Sequence, residues 1–203
     1  LRNPYGKNPI PAYTALVELS SILDATRLNL ADLLEETLAH HLDTSAGEGI
    51  TDVFMSKAED AWEIRHHVSE SLRTEGRVLG LDLSVPRSQM ATFTHTVRTW
   101  LSETYPFVRL CDFGHWGDGG THLNLVWKPE ASPIPTEVLI PAIQRWIYDL
   151  VVRNFNGSYS AEHGIGPHNQ VFYETYTPEN VRNLCALVKF HLDPKKLLGT
   201  TRL

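Results

Sequence analysis

Three stretches of the chain carry side chains that could do chemistry. The densest is Gly114-His115-Trp116-Gly117-Asp118-Gly119-Gly120-Thr121-His122-Leu123-Asn124. His115 and His122 stand at the two ends of a glycine-rich turn. A tight turn can fold back and bring both imidazoles to one point. Its four glycines allow positive φ and close approach of the backbone to a ligand. Two neutral imidazoles suit a borderline divalent metal. By itself, a His pair at this spacing is more often two unrelated surface or core histidines.

The second stretch is Ser160-Ala161-Glu162-His163-Gly164-Ile165-Gly166. A carboxylate beside a histidine offers a further ligand and a general base. In an extended strand the two side chains would point to opposite faces. Both can serve one site only if the backbone bends, which Gly164 and Gly166 permit. A glycine turn with a solvated Glu and His is the simpler alternative. The third stretch is Trp62-Glu63-Ile64-Arg65, with Ser69 beyond it. Trp62, Arg65 and Ser69 share one helix face. An arginine there could hold a carboxylate through two parallel hydrogen bonds, or it could lie over Trp62 as an ordinary surface residue. His40-His41 and His66-His67 read as solvated or capping positions, Trp100, Trp127 and Trp146 as core, and Asp82 as structural.

These residues need elements to position them. Ala15 to Leu19 and Thr51 to Met55 read as strands. Asn29 can cap a helix with Leu30, Leu33, Leu34 and Leu38 on one face, fraying near Thr44-Ser45-Ala46-Gly47. Ser56 and Glu59 form a capping-box pattern that opens a helix running to about Thr74, ahead of Gly76. Leu79 to Val85 reads as a strand, followed by a helix capped by Ser88 and carrying Phe93, Val97, Trp100 and Leu101. Phe107 to Phe113 and Thr121 to Lys128 read as two strands joined by the glycine turn. A long helix follows with Ile143, Trp146, Ile147, Leu150 and Val151 on one face, ended at Gly157. Tyr159 to Glu162 reads as a last strand. A final helix from Pro178 carries the stripe Val181, Leu184, Leu187 and Val188. Strands alternate with helices around a central hairpin. That order suits an α+β fold of ferredoxin-like type, an antiparallel sheet covered by helices. No GxGxxG or P-loop turn is present, so a doubly wound nucleotide fold fits less well.

The 203 residues allow one or two domains and a full core without disulfides. Apolar residues at 42% and charged residues at 21% exclude a disordered chain, a collagen and a coiled coil. A net charge of −6 with no basic run argues against nucleic-acid binding. No apolar stretch approaches the roughly 18 residues of a membrane span. Cys111 and Cys185 form no disulfide framework or metal-thiolate motif, which suits free thiols in a reducing compartment. Residues 1–12 read as a linker, and 13–203 as one domain. The start is no signal peptide and reads like the middle of a longer protein.

Together these stretches resemble the C-terminal, substrate-binding domain of FAD-linked oxidases of the vanillyl-alcohol-oxidase type. The group they are most similar to is the D-2-hydroxyacid dehydrogenases, which include D-lactate, D-2-hydroxyglutarate and glycolate enzymes. The resemblance rests, in order, on Trp62 to Arg65, Asp82-Leu83-Ser84-Val85-Pro86, Gly114 to Asn124, Ser160 to Gly166, and Leu192-Asp193-Pro194. It implies that His115, His122 and Glu162 hold a divalent metal, zinc or manganese. It makes His163 the general base. It makes Arg65, Ser69 and Asn124 the substrate contacts. It further implies FAD, bound mainly by an upstream domain outside this chain, so this chain alone is expected to be inactive. The location implied is intracellular, cytoplasmic or mitochondrial. An apolar face left for that upstream domain would let isolated chains pair as a homodimer. Two other readings stay open. One is a non-catalytic binding module of the same fold, favoured by Gly80, Gly120, Asn169 and Gly199 at positions where the family pattern differs. The other is a metal-dependent hydrolase that uses the same ligands without flavin.

Overall fold

The computed structural model describes residue 5, residues 11–24, 26–44, 49–199 and 201–202. The chain divides into two compact units, Leu1–Ser71 and Leu72–Leu203. Helix α2 (Ala58–Glu75) carries the boundary.

In the first unit, α1 (Leu30–Thr44) starts where expected. Asn29 Oδ1 accepts the N–H of Ala31 at 3.1 Å, which meets one of the free donors of the first turn. Leu30, Leu34 and Leu38 are half-buried on one face, whereas Leu33 is exposed. The expected fray reaches residues 45–48, which lie outside the described residues, as does most of the expected linker. The two expected strands, Ala15 to Leu19 and Thr51 to Met55, do not form. A strand needs a ladder partner, and the described residues of this unit offer none, so both runs are without regular structure and mostly exposed. The capping box is not made either. Ser56 Oγ donates to the Lys57 carbonyl, and α2 opens at Ala58.

The second unit holds a three-stranded antiparallel sheet in the order β1-β3-β2, from β1 (Arg77–Ser84), β2 (Arg109–Phe113) and β3 (Gly120–Trp127). Gly76, with φ +156°, starts β1 tightly against β3, because a Cβ there would sit 2.4 Å from the Trp127 carbonyl oxygen. Leu79, Leu81 and Leu83 alternate onto one face of β1 and are buried. They share one core with Leu123 and Leu125 of β3. Phe93, Val97 and Leu101 of α3 (Met90–Thr104) and Leu139, Ile143 and Ile147 of α4 (Thr136–Asp149) complete it. Phe93 is fully buried and meets Phe155 edge to face at 5.4 Å. Trp127 is core as expected, and Trp100 and Trp146 stack at 3.8 Å at its margin. The α+β architecture, an antiparallel sheet with helices packed on it, is the one expected. With α5 (Gln170–Tyr176) and α6 (Glu179–Leu192), the described residues form six helices.

Three details differ from the sequence reading. The helix expected from Ser88 begins instead with a 3-10 turn at Arg87–Gln89, and α3 starts at Met90 without a side-chain cap. The short helix α5 has no signature in the sequence, because its seven residues are too few to show a helical period. The strand expected at Tyr159 to Glu162 shrinks to a single antiparallel bridge, Ser84 to Ser158. Beyond it, side chains take the backbone donors that a ladder would use. Ser158 Oγ accepts the N–H of Ser160, and Asp82 accepts those of Glu162 and His163.

The apolar stripe of α6 has the expected spacing but the opposite environment. Val181, Leu184, Leu187 and Val188 are all exposed, as are Leu197 and Leu198 beyond the helix. No described helix is long and apolar enough to cross a membrane.

Candidate metal and substrate site

Residues 82 and 122 face each other directly across the β1–β3 ladder. Because side chains alternate along a strand, both project from the face opposite the leucine core. The glycine turn before β3 contains a 3-10 turn at Trp116–Asp118, closed by Gly119 in the left-handed region at φ +89°. A Cβ on Gly119 would lie 2.5 Å from the Val85 carbonyl oxygen, so glycine is required where the turn packs on the end of β1. Asp118 Oδ1 accepts the Gly120 N–H at 2.8 Å and locks the turn into β3.

The third arm arrives from α4. Its last turn widens into a π-helical segment at Leu150–Asn154, where the Phe155 N–H reaches the Leu150 carbonyl. Asn156 at φ 52° reverses the chain. Gly157 then passes so close to β1 that a Cβ would sit 2.2 Å from the Ser84 carbonyl oxygen. Ser158 and Ser84 exchange two backbone hydrogen bonds, at 2.8 and 3.0 Å. Tyr159 is buried against Tyr148, Phe172 and Tyr176. This pinned segment delivers Ala161, Glu162 and His163 over β1.

Asp82, His122, Glu162 and His163 thereby each bring one ligand atom to within 4.8 Å of the others. Nε2 of His122 lies 3.3 Å from Glu162 Oε1, and Nε2 of His163 lies 3.4 Å from the same oxygen. Nδ1 of each ring faces Asp82, at 3.9 Å for His122 and 3.7 Å for His163. The rings lie nearly parallel, 17° apart, with centroids 5.6 Å from each other. Both carboxylates are acceptors only when ionised, and nothing cationic among the four neutralises them while the imidazoles are neutral. Two imidazole nitrogens and two carboxylates converging in this way form a donor set for a divalent cation.

Of the residues singled out in the sequence, His122, Glu162 and His163 converge. His115 lines the same cleft of about 220 Å³, with Asp118, Thr121 and Ala161, but stands outside the four-residue group. Asn124 is one step further along the same face of β3, buried, with Nδ2 donating to the His122 carbonyl at 2.9 Å. Arg65 and Ser69 lie on α2 in the first unit, Arg65 half-buried and Ser69 exposed. Trp62 stacks on His66 at 5.6 Å. Asp82, read as structural, does hold the 161–163 segment, but its carboxylate also belongs to the polar cluster. The signal was available in the sequence: a carboxylate between Leu81 and Leu83 must face away from the core of a half-buried strand.

A larger cleft, about 430 Å³, lies at the other end of β1 among Arg73, Arg77 and Lys128. It gathers no imidazole, and its Glu75 is already paired with Arg109 at 3.2 Å. The cluster of ligand atoms is in the smaller cleft.

Residues 6–202 match the family model described as FAD linked oxidases, C-terminal domain. The chain is 29% identical over 196 residues to a mitochondrial D-2-hydroxyglutarate dehydrogenase of Arabidopsis thaliana, covering 95% of this chain and 33% of that protein. It is 30% identical to the protein of the same name from Danio rerio, covering 95% of this chain and 34% of the relative. It is 26% identical to a D-2-hydroxyglutarate dehydrogenase of Stutzerimonas stutzeri (strain A1501), covering 96% and 42%. The chain thus spans between a third and a half of the length of these relatives. With the match running over nearly its whole length, the chain belongs to the family of FAD linked oxidases, C-terminal domain.

Proposed function

We propose that this chain is the substrate- and metal-binding part of an FAD-dependent dehydrogenase that oxidises a D-2-hydroxy acid to a 2-oxo acid. The observation that carries the reading is the convergence of His122, Glu162 and His163 on one point beside Asp82. The family match and the relatives' names support the reaction class. His115, His122 and Glu162 are the proposed ligands of a zinc or manganese ion. Such an ion would act as a Lewis acid, lowering the pKa of the substrate hydroxyl.

In this reading, His163 takes the hydroxyl proton as the C2–H bond breaks and the carbonyl forms. Flavin, held mainly by a separate FAD-binding domain, would accept the hydride. Glu162 and His163 are well exposed, so both can be reached by a ligand entering the cleft. Arg65 is the proposed holder of the substrate carboxylate, with Ser69 and Asn124 as further substrate contacts. The exposed stripe of α6 is consistent with a further protein surface covering it, as the FAD-binding domain would.

The test is direct binding. The chain loaded with manganese or zinc should bind D-lactate or D-2-hydroxyglutarate in calorimetry, more tightly than the L-enantiomers, and His163→Ala should retain the metal. The protein that carries this domain together with an FAD-binding domain should show flavin bleaching with the same acid, lost in His163→Ala. Acid binding without bleaching would instead favour a non-catalytic module. Ester hydrolysis by the chain alone, abolished by chelator, would favour a hydrolase.

A further inference from the structure

Asp82 makes contacts that a metal ligand would not need. Its Oδ2 accepts two consecutive backbone donors, the N–H of Glu162 at 2.8 Å and the N–H of His163 at 2.7 Å. Its own carbonyl accepts the N–H of Ala161 at 3.2 Å. Three successive donors of one segment therefore end on one residue of β1. The side chain is only 11% exposed, and hydrogen bonds to a shielded carboxylate are among the stronger ones. The same carboxylate faces Nδ1 of both imidazoles, which leaves each Nε2 directed at Glu162.

The other hydrogen bond that shapes this loop, from Ser160 Oγ to the Gly164 carbonyl at 2.6 Å, closes the segment on itself and makes no bond to β1. Gly164 and Gly166, both at positive φ, have open space around them, so the downstream side of the segment is not wedged by packing. Upstream, the Ser84–Ser158 bridge is followed only by the Ala161 N–H on the Asp82 carbonyl, so Asp82 is the last residue of β1 to hold the segment by hydrogen bonds. The consecutive pair Glu162-His163 would send its side chains to opposite faces in an extended strand. Binding both amides to a single oxygen bends the segment so that both face His122.

We propose that Asp82 is the positioning residue of this site: its carboxylate clamps the backbone of Glu162 and His163 and thereby sets Glu162 Oε1 and the His163 ring against His122. The role resembles that of a carboxylate that orients metal-bound histidines from behind, extended here to the backbone of the neighbouring ligand. The inference rests on the metal reading above for its consequence, but the clamp itself can be measured without metal.

The experiment compares Asp82→Ala and Asp82→Asn with the unaltered chain in two readouts. Asparagine keeps a carbonyl oxygen that can accept both amides, whereas alanine keeps neither. In amide hydrogen exchange, Glu162 and His163 should exchange about tenfold or more faster in Asp82→Ala, and within a few-fold of the unaltered chain in Asp82→Asn. Amides of the β1–β3 ladder away from residue 82 serve as the control for folding. In cobalt titration followed by visible absorbance, Asp82→Ala should bind roughly 10–100-fold more weakly, the range seen for lost orienting partners of metal ligands. Asp82→Asn should fall between. Unchanged exchange at 162 and 163 in Asp82→Ala, or unchanged cobalt affinity, would overturn the proposal. If the unaltered chain takes up no cobalt or zinc, the metal reading fails, and the exchange comparison alone decides the clamp.

Discussion

Nε2 of His122 and Oε1 of Glu162 lie 3.3 Å apart, although one residue sits in β3 and the other in a segment reached only after the whole of α4 and its π-helical extension. The same Glu162 oxygen is 3.4 Å from Nε2 of His163. One carboxylate oxygen is thus the point on which both imidazoles converge. Glu162→Gln preserves the shape but removes the charge that would balance a cation. Metal affinity should fall tenfold or more. Because the side chain is 63% exposed, stability should stay within about 0.5 kcal/mol. Cobalt titration and a urea melt check both.

The passage of Gly157 over β1 is the mechanical link between α4 and the site. A methyl group there meets the Ser84 carbonyl at 2.2 Å and Val151 and Val85 at 3.0 Å. Gly157→Ala should cost about 1–3 kcal/mol as overpacking. It should also loosen the Ser84–Ser158 bridge and so weaken metal binding. A substitution that lowers the urea midpoint without touching metal affinity would show that the bridge does not transmit to the site.

The sheet was legible because β1 and β3 alternate leucine with polar residues, and the period of two survives any local detail. The long helix α4 was legible for the corresponding reason. Ala15 to Leu19 has the composition of a strand but no ladder partner among the described residues, and composition cannot report a missing partner. The site was legible in its residue types, since His122, Glu162 and His163 were each singled out. Which histidine joins the group was not, because His115 and His163 differ only in how the turn and the 158–163 segment fold back. Asp82 was visible as a residue but not as a clamp, because two hydrogen bonds to amides some eighty positions away leave no local pattern.

Asp193 repeats the device of Asp82 at the end of α6. It accepts the N–H groups of Leu197 and Leu198 at 2.6 and 3.0 Å, and the Lys189 ammonium at 2.6 Å. The Lys189 hydrogen bond, joined by those two amides and opposed by burial, holds its carboxyl below the ordinary 3.8. A depressed folded-state pKa means stabilisation that is complete above the unfolded value and lost as pH falls through the folded one. Asp193→Asn should therefore lower Tm at pH 7. The gap to the unaltered chain should close as pH drops below about 4 toward 2. Melts followed by circular dichroism at pH 7, 4 and 2.5 test this.

The aromatic group that holds Tyr159 should be visible in alkaline titration. Burial raises the phenols of Tyr148, Tyr159 and Tyr173 above 10. Burial, then the neighbouring Asp149 charge, pushes Tyr176 up to about 12. A raised phenol pKa gives stability that is full below pH 10 and lost as pH rises through the folded-state value. Absorbance at the phenolate band should therefore show a late phase above pH 10 from these four of the seven tyrosines. Tyr176→Phe should remove the last part of it. All seven ionising together near pH 10 in the folded chain would contradict the packing described.

The central claim is that the cluster around His122 and Glu162 holds a divalent metal, and elemental mass spectrometry of the purified chain tests it most directly. The chain should carry, or take up when supplied, close to one zinc or manganese ion per molecule. His122→Ala should carry none, His115→Ala should lose most of it, and His163→Ala should keep it. A chain that takes up neither ion at millimolar supply, or a His122→Ala variant that keeps its full complement, would contradict the account.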